Sequence, residues 1–490
     1  MFDSSRFMRI IRYAPKAAVP VVIAIGFTAG TSLFGQLPAA QEIASQMTMG
    51  WNTGNSLEPP GGETSWGNPK IDQELIDAVA EAGFNVIRIP VAWDSHADPN
   101  THQITPSWLA RVQEVVDYCF ENNLWVILNC HWDGGWLENN VNASSQESVN
   151  EKQESYWTQI AEWFIDYDEH LLFAGANEPN VDNAAQMTVL MTYHQTFVDA
   201  VRATGGNNAS RVLVIQGPST DIDKTVNLMS AWPADVIENR LMAEVHYYTP
   251  WQFCGMTQDE TWGKMAWFWG KDYHSAAHPD RNATYGEESA VDLNFRKMKT
   301  KFVDKGIPVI LGEYGVVKRL SLTGDDLALH IASREHYYRT VTGSMVRHGL
   351  VPVYWDAGYI GNNTMTLFNR NDGSVYDQAA LDALMEGYTS ATSVRRSRQP
   401  GRGSAPFAVT AVSQPGSAFA EIRLQSAAAG RADIMVFNVL GQIVADLGEF
   451  RISAGRNRVQ WNTSGLAAGM YLIQVWTGEH AMTAKTLLVR

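Results

Sequence analysis

Two short segments each place a glutamate directly after an apolar run of β-strand length. The first, LLFAGANEP at residues 171–179, contains Glu178, and the second, VILGEYG at residues 309–315, contains Glu313. If both runs are strands of one parallel sheet, their carboxyl ends meet at the same edge and the two carboxylates can face one pocket. Two carboxylates in one pocket can hydrolyse a glycosidic bond.

The elements that would position these glutamates are visible between residues 47 and 387. Short apolar runs alternate there with longer amphipathic stretches, which is typical of strand-helix units around a parallel sheet. Eight candidate strands in about 310 residues predict an α/β fold, a (β/α)8 TIM barrel, whose active site lies at the carboxyl ends of the strands. The candidate strands are residues 48–51, 85–90, 124–131, 171–177, 211–216, 241–246, 307–313 and 350–355.

Polar and aromatic residues end most of these candidate strands. A single histidine or asparagine at a strand end often only satisfies a neighbouring loop. So many groups able to bind or protonate a sugar, all expected at one edge of one barrel, instead favour a carbohydrate site. The residues are Arg88, Asn129, His131, Asn177, Glu178, His246, Tyr248, Glu313, Trp355 and Asp356.

The composition agrees with a globular protein and excludes one class of partner. The chain has 490 residues, of which 45% are hydrophobic and 11% aromatic, so it can bury a large core and hold more than one domain. Its formal net charge of −15 argues against nucleic acid, because phosphate backbones are bound by clustered lysines and arginines. Most of the 17 tryptophans are expected in the core, and exposed ones can stack on sugar rings.

The amino-terminal residues follow the order of a secretory signal. Arg6, Arg9, Arg12 and Lys16 precede a mostly apolar stretch at 17–34, which predicts a signal peptide over residues 1–36. A membrane anchor is the alternative, but the stretch is short for a span of about 20 apolar residues. We therefore expect a secreted or cell-surface protein with no stable membrane span in its mature form.

The cysteines and histidines indicate neither redox nor metal chemistry. Cys119 lies in an amphipathic helical pattern and Cys130 ends an apolar strand, so both are expected to be buried, without a structural disulfide. No third histidine or carboxylate lies at ligand spacing from His131 and His246. We expect no metal and no organic cofactor.

Eight segments together resemble glycoside hydrolase family 5, and their order and spacing match as well. They are MGWNTGNSLE at 49–58, TSWGNP at 64–69, AGFNVIRIPVAW at 82–93, NCHWD at 129–133, ANEP at 176–179, HYYTPW at 246–251, GEYG at 312–315 and YWD at 354–356. The resemblance implies a retaining endo-β-1,4-glucanase, a cellulase that degrades β-glucan polysaccharide. A xyloglucanase, mixed-linkage β-glucanase or β-mannanase of the same family is the alternative. A non-catalytic glucan-binding surface protein is another class, and the presence of both glutamates speaks against it.

The resemblance also implies roles for the strand-end residues. Glu178 matches the family's acid/base and Glu313 its nucleophile. Arg88 and Tyr248 would then favour the ionised form of Glu313, whose charge would in turn raise the pKa of Glu178.

The other matching positions would bind the sugar. Asn177 resembles the residue that bonds the 2-hydroxyl, His131 and His246 resemble orienting histidines, and Trp355 would form the floor of the site. Asn55 and Glu58 match positions that bind hydroxyls farther toward the non-reducing end. Trp132 stands where some relatives have a second histidine, so its contact with substrate is a departure from the family pattern.

The segment 248–294, between candidate strands six and seven, is rich in aromatic residues and belongs on the rim of the barrel. Its aromatics could form a stacking platform or a small core under a long loop. We expect most of them to be core and one or two to reach substrate. They are Trp251, Phe253, Trp262, Trp267, Phe268, Trp269 and Tyr273.

The composition changes after the barrel, which we place at residues 37–388. Residues 389–406 are rich in Arg, Ser, Gly and Pro and predict a linker, and the alternating strands of 407–490 predict a small β-sandwich. FNVLGQIV at 437–444 and WNTSGLAAGMYLIQV at 461–475 resemble the sorting domains of type IX secretion, which implies that export machinery as a partner. A carbohydrate-binding module is the alternative, supported by Trp461 and Trp476.

Overall fold

The structure is a computed structural model that describes residues 37–397, 408–413, 418–426, 428–438, 443–477 and 480–488. The predicted signal peptide at 1–36 lies outside the described residues, as does the stretch 398–406 of the predicted linker. Within the described residues no helix has both the length and the apolar character needed to cross a membrane.

Eight parallel strands close into a barrel in which β1 pairs with both β2 and β8. This confirms the predicted TIM barrel. Every one of these strand residues is buried, because the strands pack between the barrel interior and the surrounding helices. The strands are β1 Gly50–Asn52, β2 Val86–Ile89, β3 Trp125–Asn129, β4 Leu171–Ala174, β5 Leu213–Gln216, β6 Leu241–Tyr247, β7 Val309–Tyr314 and β8 Leu350–Tyr354.

Helices follow the strands and cover the barrel. In α2 the buried residues Leu75, Ile76 and Val79 recur at helical spacing on one face, and the Asp72 side chain caps the first turn by accepting from the Leu75 amide at 3.0 Å. The helices are α1 Ala40–Gln46, α2 Gln73–Glu81, α3 Pro106–Glu121, α4 Gln146–Trp163, α5 Ala184–Ala203, α6 Ile222–Leu228, α7 Trp251–Cys254, α8 Glu288–Lys301, α9 Gly324–His348 and α10 Gln378–Ser397.

The last helix corrects the predicted start of the linker. α10 continues to Ser397, so residues 389–397 of the expected linker are helical. No glycine or proline interrupts the chain between residue 388 and Pro400, and Ala391 is buried. A Cβ at Gly387 would lie 2.8 Å from the Arg339 carbonyl, so α10 packs closely on α9 at this point. Helix α10 therefore extends the outer layer of the barrel beyond residue 388.

The carboxyl-terminal strands form two antiparallel sheets, as predicted. One has the order β13-β10-β9 and the other β12-β11-β14-β15. Buried residues alternate along the strands, as Ala420, Ile422 and Leu424 show in β10, and they form one shared core. The strands are β9 Ala408–Ser413, β10 Phe419–Ser426, β11 Gly430–Asn438, β12 Ile443–Ile452, β13 Gly455–Asn462, β14 Gly469–Thr477 and β15 His480–Leu488.

Trp461 of β13 belongs to the core of this sandwich. It is 1% exposed and meets the Tyr471 ring edge to face at 5.6 Å. A tryptophan in this position cannot stack on a sugar, which removes one of the two residues that supported a carbohydrate-binding module. In the barrel, Cys119 and Cys130 are buried, as expected, and Cys254 is buried as well.

Candidate active site

Glu178 and Glu313 meet at the carboxyl ends of the strands. Glu313 is the second-to-last residue of β7, and Glu178 lies four residues after the end of β4. One oxygen of each carboxylate and a ring nitrogen of His246 lie within 4.8 Å of one another. Carboxyl groups of retaining glycosidases stand about 5–5.5 Å apart, whereas inverting enzymes need about 6.5–9.5 Å to admit a water. The separation fits direct attack by one carboxylate.

Arg88 joins the groups around Glu313. Its buried guanidinium lies 2.9 Å from a Glu313 oxygen and 2.9 Å from an oxygen of Glu244 on β6. It also donates to the side-chain oxygens of Asn177 at 2.8 Å and of Asn52 at 3.0 Å. The planar guanidinium of an arginine can bridge several acceptors at once. One buried cation therefore connects β1, β6 and β7 with the loop after β4.

Tyr248 provides the second donor to Glu313. Its hydroxyl donates to the other Glu313 oxygen at 3.0 Å. Burial, together with the charge of Glu313, holds the pKa of Tyr248 well above its usual range, so the hydroxyl keeps its proton. Both predicted donors to Glu313 are therefore in place.

His246 lies between two carboxylates. Its Nδ1 is 2.7 Å from Glu178 Oε1, and its Nε2 is 3.3 Å from Glu244 Oε1. Burial acts to lower the pKa of His246, but the charge of Glu313 and the hydrogen bonds to Glu178 and Glu244 outweigh it and raise the pKa to about 10. The imidazole is therefore a cation at neutral pH.

This histidine changes the expected protonation of the pair. Burial acts to raise the pKa of Glu178, but the hydrogen bond and charge of His246 outweigh burial and lower it below the usual range. The expectation that Glu313 raises the pKa of Glu178 is therefore wrong in the site without a sugar. Burial raises the pKa of Glu313 itself, against the charges of His246 and Arg88. The acidic proton nearest Glu178 is the one on His246 Nδ1.

Asn177, His131 and Trp355 line the same pocket. Asn177 is 5% exposed. The His131 ring stacks nearly parallel to Trp355, with ring centroids 5.6 Å apart. Burial, followed by the charges of Arg88 and His246, holds the pKa of His131 well below its usual range, so this histidine is neutral. It is a hydrogen-bonding group and part of an aromatic floor.

Two tryptophans expose their rings next to this pocket. Trp132 follows His131 and is 41% exposed. Trp251 is 47% exposed and meets the Tyr248 ring edge to face at 6.1 Å. An exposed aromatic face beside a carboxylate pair is suited to stacking on a sugar ring.

Asn55 and Glu58 differ in how available they are to a ligand. Glu58 is 1% exposed, and its carboxylate accepts the backbone amides of Asn55 and Ser56 from its own loop. Burial raises the pKa of Glu58 to about 7. Glu58 therefore shapes the loop after β1, and its contact with the sugar stays a prediction. Asn55 is only partly buried and donates to the Ala357 carbonyl at 3.2 Å.

Three of the seven aromatics named in the rim segment 248–294 are core, fewer than the expected majority, and Trp267 and Tyr273 are only partly buried. Phe253, Phe268 and Trp269 are fully buried, whereas Trp251 and Trp262 are exposed. The buried Arg319 ties the segment down by donating to the carbonyls of Met256 at 2.7 Å and Gln252 at 3.0 Å. These bonds from a buried cation hold residues 252–256 of the rim segment in place.

Four residues of the site were missed by the sequence analysis. Glu244 lies two residues before His246, so both point to one side of β6, and an acidic residue inside an apolar strand was the available signal. Gln216 donates to Glu244 at 2.6 Å, and Thr220 reaches Glu178 at 3.4 Å. Glu138, in the loop after β3, accepts the backbone amide of Glu178 at 2.8 Å. No local pattern marks Glu138 as a site residue.

The cluster of Glu178, His246 and Glu313 also has the spacing of a metal-binding group. Arg88 and the protonated His246 already place two positive charges among these carboxylates. A metal cation would be repelled by both, and it would have to displace the His246 proton to use Nδ1. The arrangement therefore favours proton transfer over metal binding.

Comparison with known proteins agrees with the geometry. The family model described as Cellulase (glycosyl hydrolase family 5) matches residues 51–361, and the one described as Secretion system C-terminal sorting domain matches residues 414–490. The xyloglucan-specific endo-β-1,4-glucanase of Bacteroides ovatus is 39% identical over 71% of this chain and 70% of its own length. Endoglucanase A of Paenibacillus barcinonensis is 38% identical over 71% of this chain and 90% of its own length.

Solved structures show the same likeness. A Bacteroides ovatus GH5 xyloglucanase in complex with a XXXG heptasaccharide superposes with a TM-score of 0.67 at 36% identity, covering 72% of this chain and 77% of the other. A GH5-4 broad specificity endoglucanase from Bacteroides salanitronis superposes with a TM-score of 0.63 at 36% identity, covering 72% and 96%.

Proposed function

This chain belongs to the cellulase family, glycosyl hydrolase family 5, and on that premise we propose that Glu313 and Glu178 hydrolyse internal β-1,4-glucosidic bonds by a retaining double displacement. The chain is a glycosyl hydrolase of the endo-β-1,4-glucanase type. The observation that carries the mechanism is the approach of the two carboxylates within 4.8 Å of each other at the carboxyl ends of β4 and β7.

In the first step Glu313 attacks the anomeric carbon and Glu178 gives a proton to the leaving oxygen. The glycosidic bond breaks as the bond from Glu313 to the sugar forms. In the second step Glu178 takes a proton from water, the water attacks the same carbon, and Glu313 is released as a carboxylate. Arg88 and Tyr248 support this role of Glu313, because both donate to the carboxylate that must attack.

His246 supplies the proton that Glu178 needs. The 2.7 Å contact between His246 Nδ1 and Glu178 Oε1 lets a proton move from the imidazolium to the carboxylate. The Glu178 side chain is 42% exposed, and a bound glucan would cover it. Removing water disfavours an ion pair relative to a neutral acid and a neutral imidazole, so substrate binding itself shifts the proton to Glu178.

Asn177 binds the 2-hydroxyl of the sugar at the cleavage point. Its side-chain oxygen accepts from Arg88 and its amide nitrogen is hydrogen-bonded to Glu138, which leaves the second N–H of the amide as the donor to the sugar. Hydrogen bonds to the 2-hydroxyl strengthen in the oxocarbenium-like transition state. Trp355 lies beneath the same sugar, stacked on His131.

Xyloglucan is the glucan that we propose as the preferred substrate. Three of the similar structures, at 36–39% identity, are described as xyloglucanases or a xyloglucan-specific β-1,4-glucanase. Trp132 and Trp251 add exposed aromatic surface after β3 and after β6, where a branched chain offers further sugar rings. Unbranched or mixed-linkage β-glucan is the second candidate, because Endoglucanase A of Paenibacillus barcinonensis is 38% identical.

The test is the rate of reducing-end release by the purified protein from xyloglucan, barley β-glucan, carboxymethylcellulose and galactomannan. Glu178→Gln is the control, because its amide keeps the shape of the carboxyl group and cannot give or take the proton. We expect xyloglucan to be cleaved fastest and the variant to be inactive on every polymer. A higher rate on carboxymethylcellulose than on xyloglucan would make unbranched glucan the preferred substrate. Glu178→Gln rates equal to those of the wild type would refute the mechanism.

The sorting domain of residues 414–490 directs the enzyme to export. We propose that the type IX secretion machinery is its partner and that a signal peptide over residues 1–36 precedes it. Deleting residues 407–490 should leave active enzyme inside the producing cells and remove activity from the medium. Unchanged release into the medium would contradict this route.

A further inference from the structure

A further acidic group lies beside the proposed acid/base and has no part in the mechanism above. Glu138 is in a short 3-10 turn, Glu138–Asn140, between β3 and α4, and is 6% exposed. A carboxylic acid is seldom buried without partners, because leaving water is costly for a charged or polar group. Its contacts therefore indicate what it does.

The hydrogen bonds of Glu138 lead to the segment that carries Glu178. Its Oε1 accepts the backbone amide of Glu178 at 2.8 Å, and its backbone carbonyl accepts the amide of Asn180 at 3.0 Å. The side chain of Asn177 is hydrogen-bonded to the same carboxyl group. The next residue, Asn139, accepts from the Asn180 side chain at 2.8 Å. The turn after β3 thus clamps the residues that carry the proposed acid/base.

This clamp matters because Glu178 does not lie in a strand. Glu313 is part of β7 and is held by the barrel ladder, whereas β4 ends at Ala174 and Glu178 lies in the loop that follows. A loop residue needs supporting contacts if its carboxyl group is to stay within hydrogen-bonding reach of a leaving oxygen. Glu138 provides that support for the backbone of Glu178 and for the amide of Asn177.

We propose that Glu138 is a positioning residue for acid/base catalysis: its buried carboxyl group fixes Glu178 and Asn177, and its negative charge, when ionised, favours the protonated form of Glu178. This inference rests on the proposed function above. Loss of Glu138 should slow only the cleavage of substrates whose leaving group needs a proton, whereas a general distortion of the site would slow all substrates.

Ionisable groups face Glu138 from several elements. Burial raises the pKa of Glu138 to about 7, and the charges of Glu178 and of Glu313 on β7 act in the same direction. Cys130 faces it from the end of β3, and Arg88 of β2 is bonded to the same Asn177 amide. Glu138 is neutral below about pH 7 and ionised above it. Above about pH 7 the negative charge of Glu138 raises the proton affinity of Glu178, in the range where Glu178 would otherwise lose its proton.

The experiment compares leaving groups that differ in their need for a proton. Phenyl and 2,4-dinitrophenyl β-cellotriosides share one sugar, but dinitrophenolate leaves without protonation. The variants are Glu138→Ala, Glu138→Gln and the matched control Glu147→Gln, an exposed glutamate on the adjoining helix α4. For Glu138→Ala we expect kcat/KM on the phenyl glycoside to fall about tenfold or more and on the dinitrophenyl glycoside to change less than about twofold.

Glu138→Gln separates position from charge. Its amide oxygen can still accept the Glu178 amide, so much of the rate on the phenyl glycoside should return. The basic limb of its kcat/KM profile should lie about half a pH unit lower than in the wild type, because the nearby negative charge is lost. Glu147→Gln should match the wild type in both readouts.

Two results would overturn the proposal. An equal loss on both glycosides in Glu138→Ala would mean that Glu138 only maintains the structure, and wild-type rates with an unshifted profile would mean that it has no role. Glu178→Ala, measured alongside, tests the premise: it must show the same selective loss on the phenyl glycoside, and without it the proposed function fails whatever Glu138 does.

Discussion

The two sides of the catalytic pocket treat the same chemical group differently. On the β7 side, Glu313 belongs to a strand, its side chain is 8% exposed, and it is held by Arg88 and Tyr248. On the β4 side, Glu178 lies in a loop, its side chain is 42% exposed, and its nearest ionisable partner is His246. The fixed donors oppose the rise that burial causes in the pKa of Glu313, whereas an exchangeable partner allows Glu178 to gain and lose a proton.

The proposed roles of the two glutamates are therefore set by their neighbours. The donors to Glu313 keep their protons, because the arginine is always charged and the pKa of Tyr248 is raised by burial. The partner of Glu178 can release its proton within the reaction. Removing each neighbour in turn should therefore affect the two glutamates differently.

The largest effect is expected from Glu313→Ala, which removes the proposed attacking group. We expect kcat on xyloglucan or on an aryl glycoside to fall at least about a thousandfold, because no covalent intermediate can form. Added azide should restore turnover of an activated aryl glycoside and give a product of inverted configuration. Wild-type turnover by Glu313→Ala would show that Glu313 is not the nucleophile. An inverted azide product from Glu178→Ala would instead assign that role to Glu178.

Arg88→Met should cause the next largest change. It leaves Glu313 and Glu244 buried without their cation, and breaking such a pair costs about 3–5 kcal/mol. The free energy of unfolding, measured by urea titration, should fall by this order. Arg296→Met removes a pair to Asp292 that is partly exposed, so about 1 kcal/mol or less is expected. Equal losses of unfolding free energy in the two variants would show that the buried pairs of Arg88 stabilise the fold no more than a partly exposed pair does.

Tyr248→Phe should weaken the β7 side alone. Glu313 loses one hydrogen bond to its charged form, so the pKa of Glu313 should rise and the acidic limb of the kcat/KM profile should move to higher pH. A hydrogen bond to a charged group contributes about 1.5–3 kcal/mol, which corresponds to a loss of roughly ten- to a hundredfold in rate. An unchanged acidic limb would mean that this limb does not report Glu313.

His246→Gln should alter the β4 side through stability as well as rate. The pKa of His246 is raised to about 10 from an ordinary value near 6.5, so its stabilising effect is complete below about pH 6.5 and is lost as pH rises toward 10. The free energy of unfolding of the wild type should therefore decline more steeply across this range than that of the variant. Parallel curves would show that His246 is neutral in the folded enzyme.

The smallest effect is expected from removing the sandwich. A chain ending at residue 406 keeps all of α10 and both sides of the pocket, so kcat/KM on xyloglucan should stay within about twofold of the full chain. A chain ending at residue 387 cuts α10 where it packs on α9 and should lose stability. Equal behaviour of the two truncations would contradict the view that α10 stabilises the barrel.

Much of the fold and of the Glu313 side was predictable from the sequence. The eight apolar runs were found because a buried parallel strand needs apolar residues on both faces, and Glu313, Arg88 and Tyr248 stand at strand ends by position alone. The contacts of Arg88 and Tyr248 with Glu313 follow from the order of strands in a closed barrel.

The Glu178 side was less predictable. The direction of its pKa shift was wrong because the orientation of the His246 ring depends on Glu244, a residue that the sequence analysis did not assign to the site. Glu58 was assigned to a sugar, and its closing of its own loop was not predicted. Glu138 gave no signal, because its contact with Glu178 spans 40 residues and joins two loops without a periodic pattern.

The sequence by itself determined which residues lie at the mouth of the barrel, because strand length, burial and chain order are local properties written in hydrophobic periodicity. The tertiary structure alone decided which of those residues share a proton. The charge state of a carboxyl group depends on distances of a few ångströms and on exclusion of water, and these arise only when loops distant in the chain pack together. Glu313 is explained largely by its position in the chain, and Glu178 by its neighbours in space.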